Sequence, residues 1–294
     1  MAAFRSGVVA VVGRPNVGKS TLVNALVGQK VAIVSDKPQT TRRDIRAILT
    51  TGDAQVVFTD TPGFHKPRTL LGTRLNDAVA AAVDGVDVVV LVVDAAAGVG
   101  RGDAFVYARQ VAGAQGARIC VVNKIDRLKR GLVLPQLSAA AALGEFDEIM
   151  PLSAYAGDGI DTLAALVVAR LPEGPPLYPD NDVTDQPMDV RLAELIREQV
   201  LRLTREEVPH SVAVVVEETE REGDLTRVHA TIVVERDSQK PILIGKGGDT
   251  LKRIGTMARG QMEPLLGTRV YLDLRVKVLK EWQRDPKALN RLGF

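Results

Sequence analysis

The segment Gly13-Arg-Pro-Asn-Val-Gly-Lys-Ser20 constrains this chain more than any other feature. It follows the apolar run Val8–Val12 and opens the helical stretch Ser20–Val27. Gly13 and Gly18 let the backbone curl so that its N–H groups point inward, and the helix N-terminus adds partial positive charge. A turn of this kind, set between a strand and a helix, cradles phosphate. Lys19 is then placed to reach β- and γ-phosphates, and the Ser20 hydroxyl to ligate Mg²⁺. Arg14, Pro15, Asn16, Val17 and Thr21 complete the expected phosphate-binding segment. The loop alone does not select a base, because ATPases and kinases share it.

Strands and helices alternate around this loop. Val8–Val12, Val56–Thr59, Val86–Val93 and Arg118–Val122 read as buried strands. Ser20–Val27, Arg74–Val83 and Asp103–Ala112 read as helices. The alternation predicts an α/β domain over residues 1–172, a mostly parallel sheet with helices on both faces. Leu171–Pro179 holds four prolines and a glycine, so residues 173–187 are expected to be a linker. A smaller α+β domain is expected over residues 188–294. Leu192, Leu195, Ile196 and Leu203 recur at helical spacing, and Val212–Glu218 and Val228–Val234 read as strands. Pro241–Gly248 is a short apolar segment ending in glycines, and a helix is predicted over Asp249–Met262. Val270, Leu272, Leu274, Val276 and Val278 alternate with polar residues, which marks a strand with one buried face.

Two later motifs choose the base. Asn123-Lys-Ile-Asp126 follows the strand Arg118–Val122. A carboxylate at Asp126 can accept hydrogen bonds from guanine N1–H and the 2-amino group, which adenine lacks, and a site built for those donors rejects adenine. Asn123 can tie this loop to the phosphate loop, the Lys124 stem can cover the purine ring, and Ile125 lies between them. Ser153-Ala-Tyr155 is expected to offer the Ala154 N–H to the guanine carbonyl oxygen. The ligands expected are therefore GTP and GDP with Mg²⁺. Asp60-Thr-Pro-Gly63 ends another strand: Asp60 would hold Mg²⁺ through water, Gly63 N–H would sense the γ-phosphate, and Thr61, Pro62 and Phe64 would complete the loop. Thr41 is the expected threonine ligand of Mg²⁺, with Thr40 the alternative; loss of the γ-phosphate would release both loops. Phe64 stands where many GTPases place a water-orienting Gln, so slow intrinsic turnover is expected.

Charge separates the two halves. Residues 1–172 carry 19 basic and 15 acidic side chains, residues 173–235 carry 6 and 15, and residues 236–294 carry 13 and 6. The basic last segment contains Gly245-Lys-Gly-Gly248, followed by Lys252 and Arg253. A GxxG turn lets a nucleic-acid backbone approach closely, and Lys246 and its neighbours would neutralise phosphates. Gly245, Lys246, Gly247, Gly248, Lys252 and Arg253 are the expected RNA-binding residues. The lone Cys120 excludes an internal disulfide. No signal peptide or membrane span is evident, so a cytoplasmic protein is expected.

Taken together, the chain resembles the Era family of bacterial GTPases, a GTPase domain followed by a KH domain of type II topology. The resemblance is carried by Gly13–Ser20, Pro38-Gln-Thr-Thr-Arg42, Asp60–Gly63, Asn123–Asp126 and Ser153–Tyr155. In the second half it is carried by Leu203-Thr-Arg-Glu-Glu-Val-Pro-His-Ser211, Ile244–Gly248 and Val276-Lys-Val-Leu-Lys-Glu-Trp282. It covers nearly the whole length. The resemblance implies slow GTP hydrolysis coupled to binding of the 3′ end of small-subunit ribosomal RNA, in assembly and maturation of the small ribosomal subunit. It also implies peripheral association with the inner face of the cell membrane, and a monomer is expected. Asn16 matches the asparagine of GTPases that recruit potassium, a route around the missing Gln. Lys19, Asn16, Thr41 and Gly63 are thus the expected catalytic set. Three other readings compete: a binding module in which hydrolysis is incidental, a P-loop ATPase or kinase, and a tRNA-modifying GTPase. Asp126 argues against the ATPase, and the lack of a nucleophile or cofactor motif after Pro172 argues against the last.

Overall fold

The computed structural model describes residues 3–37, 39–63, 67 and 69–294. Pro38 and Phe64 lie outside the described residues. Packing divides the chain into two units: Met1–Val34, Thr41–Pro67 and Gly72–Asp185 form the first, and Ser35–Thr40, Arg68–Leu71 and Gln186–Phe294 the second.

The first unit runs β1 (Arg5–Val12), α1 (Lys19–Val27), β2 (Ile45–Thr50), β3 (Ala54–Asp60), α2 (Leu70–Val83), β4 (Val88–Asp94) and α3 (Arg101–Val106). It continues through β5 (Ala117–Asn123), α4 (Val133–Ala141), β6 (Glu148–Pro151) and α5 (Ile160–Val168). Its six strands lie in the order β2-β3-β1-β4-β5-β6, all pairings parallel except β2 with β3. Both faces are apolar because alternate residues of one strand enter two cores. Val9, Val11, Val90 and Val92 pack with Leu22 of α1 and Leu163 of α5, while Ala10, Val12, Val89 and Leu91 pack with Val106 and Val111. This explains why these strands read as continuous apolar runs. Strand order reverses between β1 and β4, which places the loops after them at the crevice where α/β sheets bind ligands.

Three local differences from expectation have physical causes. The hairpin partner β2 carries polar Arg46 and Thr50 among its apolar residues and sits at the sheet edge, so no buried run announced it. The helix read over Asp103–Ala112 starts earlier and turns into a π-helical segment, Tyr107–Val111. The wider turn brings Val106 and Val111, five residues apart, into one core. Residues 173–185 of the expected linker group with the first unit: Leu177 and Tyr178 N–H donate to Gln55 Oε1 at 2.6 and 2.8 Å, and Thr184 bridges Ala47.

Cys120 lies in β5 at 0% exposure. Burial, with a smaller contribution from the Asp103 charge, pushes its thiol up to about 12 from an ordinary value of 9.0. Between those values the unfolded state releases a proton that the folded state keeps, so this thiol's contribution to stability is lost as pH rises through that window. A thiol reagent at pH 8 is expected to leave the folded protein unlabelled and to label it stoichiometrically in denaturant. Rapid labelling without denaturant would show that the strand opens locally.

The second unit contains α6 (Met188–Leu203), β7 (Ala213–Glu222), β8 (Leu225–Val234), α7 (Gln239–Ile244), α8 (Asp249–Leu266), β9 (Arg269–Val278) and α9 (Pro286–Arg291). The sheet order is β7-β8-β9, antiparallel between the first pair and parallel between the second. Val228, Ala230, Ile232, Val270 and Val276 face a core that includes Leu192, Ile196, Ile254, Ala258 and Met262. The short apolar segment at 241–244 is helical; Pro241 falls in the first turn, where no intrahelical N–H is needed. The segment Val208–Ser211 is a packing joint. Trp282, fully buried, donates from Nε1 to Ser211 O at 3.1 Å, and Gln283 Nε2 donates to His210 O at 2.8 Å. Trp282 also stacks on Phe294 at 5.6 Å. Two stretches of the motif set, far apart in sequence, are therefore partners in one contact.

Candidate nucleotide site and RNA-binding loop

The phosphate loop is held open by backbone geometry that only certain residues accept. Gly13 and Gly18 have φ of 152° and 101°, and Asn16 has φ of 64°. A Cβ at Gly13 would lie 2.4 Å from Val92 O, and one at Gly18 would lie 2.4 Å from Asn123 Nδ2. Lys19 is buried, and its ammonium donates to Gly13 O at 3.0 Å and Arg14 O at 3.1 Å. Burial lowers its pKa to about 8, partly offset by the Asp60 charge. The lysine therefore sits in a dry loop of carbonyls, still a cation at neutral pH, as a phosphate ligand must be.

Three oxygens, from α1, β3 and the segment before β2, meet beside it. Ser20 Oγ donates to Asp60 Oδ2 at 2.7 Å, Thr41 Oγ1 donates to the same oxygen at 3.2 Å, and the two hydroxyls are 2.9 Å apart. Thr40 instead donates to Lys37 O at 2.7 Å, so its hydroxyl is spent elsewhere. Asp60 is fully buried, and its Oδ1 has no hydrogen-bond partner among the described residues. Burial raises its pKa, against the lowering effects of Lys19, Ser20 and Thr41. A buried carboxylate with an unmet oxygen beside two hydroxyls is a hard, all-oxygen donor set, which fits Mg²⁺. Gly63 packs on the phosphate loop so closely that a Cβ would fall 2.8 Å from Pro15 Cα. Thr61, also buried, donates to Val11 O at 2.9 Å and pins the Asp60–Gly63 turn to β1.

Asn123 gathers the base-reading loops. Its Nδ2 donates to Val17 O at 2.9 Å, and its Oδ1 accepts from Lys124 N at 2.8 Å and Ala154 N at 3.0 Å. The Ala154 N–H, expected to face a guanine oxygen, is thus engaged by Asn123 in this structure. Lys124 takes φ of 66°, and its ammonium lies on Asn16 O at 2.5 Å and Asp94 Oδ2 at 2.6 Å. Its stem is thereby drawn across toward the phosphate loop. Asp126 is exposed, and one of its oxygens accepts from Ser153 Oγ at 2.5 Å. Tyr155 is 87% exposed. Asp94 was not foreseen. Its signal was an acidic residue ending β4 at the crevice, and its other oxygen accepts from Ala96 and Ala97 N–H at 2.9 and 3.1 Å.

In the second unit, Gly245, Gly247 and Gly248 have φ of 75°, 60° and 83°, a backbone that favours glycine, and Gly245, with ψ of 175°, takes a conformation that is essentially glycine's alone. Lys246, Lys252 and Arg253 are exposed around it. The basic residues of β9 are differently placed. Arg275 pairs with Asp273 at 3.3 Å and Lys277 with Glu217 at 3.3 Å, which spends part of their charge within the fold.

Residues 8–124 match the model of a family described as 50S ribosome-binding GTPase, and residues 207–283 match a KH domain model. The chain is 52% identical to GTPase Era of Mycolicibacterium smegmatis and 53% identical to that of Mycobacterium tuberculosis, each aligned over 100% of both chains. The chain belongs to the Era family of GTPases. Its fold is similar to that of Era solved in complex with MgGDPNP and nucleotides 1506–1542 of 16S ribosomal RNA, with TM-score 0.96, 38% identity and 99% of both chains covered. It is equally similar to a variant of Aquifex aeolicus Era bound to GDP and AlF4−, with TM-score 0.95, 38% identity and 99% of both chains covered. An Era-family chain is a GTPase that carries a KH domain, and the α/β and α+β expectations agree with these matches. Among the described residues, no helix is long and apolar enough to cross a membrane.

Proposed function

We propose that this Era-family GTPase couples GTP binding and slow hydrolysis to capture of the 3′ end of small-subunit ribosomal RNA during assembly of that subunit. The observation that carries the reading is the joining of two features in one chain. One is the convergence of Ser20, Thr41 and Asp60 beside Lys19. The other is a GxxG turn with its three glycines at positive φ, which carries exposed Lys246 and is followed by exposed Lys252 and Arg253. The functional division is residues 1–172 for nucleotide and 188–294 for RNA, with 173–187 joining them.

In this reading Lys19 and the loop N–H groups hold the β- and γ-phosphates, and Ser20 and Thr41 ligate Mg²⁺ directly, with Asp60 acting through water. Bound Mg²⁺ supplies charge neutralisation on the phosphate oxygens. Gly63 N–H faces the γ-phosphate, and water attacks phosphorus in line with departure of GDP. Asn16 would hold a potassium ion, which would supply positive charge beside the phosphates in place of a water-orienting Gln. The protein acts as a monomer in the cytoplasm; association with the inner membrane face rests on the family resemblance alone.

The test measures affinity for an RNA bearing the 3′-terminal small-subunit sequence, with GDPNP and with GDP, and GTP turnover in potassium and in sodium with and without that RNA. Tighter RNA binding with GDPNP and several-fold faster turnover in potassium are expected. Equal RNA affinity in both nucleotide states would remove the coupling, and equal rates in the two cations would remove the potassium role.

A further inference from the structure

Arg14 is the second residue of the phosphate loop, yet its side chain is not directed to a free surface. Its Nε donates to Asp103 Oδ1 at 2.8 Å, and its terminal nitrogen donates to Gly98 O at 3.3 Å. Asp103 lies in the first turn of α3 and is 0% exposed. Its second oxygen accepts from Gly100 N–H at 2.9 Å. A buried carboxylate is costly unless both its charge and its lone pairs are met, and among the described residues Arg14 supplies the ion pair. Gly102 makes the room: a Cβ there would sit 2.5 Å from Arg14 Cδ. The carbonyl of Arg14 in turn accepts from Lys19 Nζ. One residue thus links the phosphate-binding lysine, through its main chain, to α3, through its side chain.

We propose that Asp103 and Arg14 form a positioning pair, in which α3 fixes the first half of the phosphate loop and thereby the place of the Lys19 ammonium. The assignment rests on the nucleotide role given to Lys19 above. Asp103 makes no phosphate contact in this account; it acts through Arg14. Arg14 works chiefly by its grip on α3 and not as a direct phosphate ligand. Misplacing a charge-stabilising group by about 1 Å is enough to slow catalysis by up to about 100-fold.

The test compares Arg14→Ala, Arg14→Lys and Asp103→Asn in the full chain. The readouts are the release rate of a fluorescent GDP, single-turnover GTP hydrolysis, GTP affinity and Tm. The Arg14 side chain is 31% exposed, so Arg14→Ala is expected to fold. It is expected to speed GDP release and to slow single-turnover hydrolysis, each about 10-fold, and to lower Tm, because Asp103 is left buried without its ion pair; adding Asp103→Asn should restore Tm but not the rates. Arg14→Lys keeps the charge but loses the two-pronged grip, and should fall between. Asp103→Asn added to Arg14→Ala should cost little further in release rate, because the two residues act as one unit. Unchanged release and hydrolysis in folded Arg14→Ala would overturn the pair. So would fully additive effects in the double variant. A protein that binds no GTP even as the parent would instead strike at the nucleotide reading itself.

Discussion

Asp126→Asn is expected to weaken GTP binding about a thousandfold while improving the binding of xanthosine triphosphate. The Asp126 carboxylate is exposed and held by a single side chain, Ser153, which leaves acceptor capacity for a ligand. Guanine offers two N–H donors on one edge, and hydrogen bonds to an ionised acceptor contribute about 1.5–3 kcal/mol each. Two of them amount to roughly 3–6 kcal/mol, or two to four powers of ten in affinity. An amide in the same place presents an N–H to guanine's N–H, which is repulsive, but it can donate to the 2-oxo group of xanthine. Fluorescent-nucleotide titration with GTP, ATP and XTP reads all three outcomes. Unchanged GTP affinity would mean that another residue reads the base. Because Asp126 is exposed and its loop is also fixed by Asn123, Tm should move little.

The second large effect concerns the glycine turn. Lys246→Asp combined with Gly247→Asp is expected to lower RNA affinity at least about 100-fold and to leave GTP affinity within about twofold. The choice of positions follows from space. A Cβ at Gly247 meets nothing within 4 Å, and Asp accepts a left-handed backbone better than most residues. A Cβ at Gly245 would fall 2.3 Å from Thr250 Oγ1, so a change there would disturb the fold and confuse the result. The double change replaces one positive charge with two negative ones at the point where an RNA backbone must come closest. The slope of affinity against salt should also become shallower, since fewer counterions are released. RNA affinity that survived in a folded variant would reduce the loop to a turn. Arg275 and Lys277 serve as a contrast. Their acidic partners Asp273 and Glu217 already occupy them, so their replacement is expected to cost less.

Legibility in the sequence followed how local each determinant was. The phosphate loop, the Asp60–Gly63 turn, Asn123–Asp126 and Gly245–Gly248 were readable because their chemistry is written in adjacent residues with backbone demands that few side chains meet. The alternation of strand and helix was readable because the central strands are buried on both faces and so carry uninterrupted apolar runs. Edge strand β2 escaped because a half-exposed strand has no such run. Residues 173–185 were read as a tether because proline density reports what a segment cannot form, and says nothing about what it packs against. Gln55, buried near the start of β3, is what receives it.

The sequence by itself determined the nucleotide chemistry, the class of both domains and the place of greatest positive charge. Tertiary structure alone decided which of two adjacent threonines faces Ser20 and Asp60, since a one-residue shift in an irregular segment leaves no periodic trace. It alone paired Asp94 with Lys124 and Asp103 with Arg14, because isolated acidic residues in sequence look like any solvated surface. It alone showed that Val208–Ser211 and Trp282 are halves of one joint. Each of these is a contact between residues 19 or more positions apart. Such pairings are fixed by how the sheets and helices close on each other, and no stretch of neighbouring residues records them.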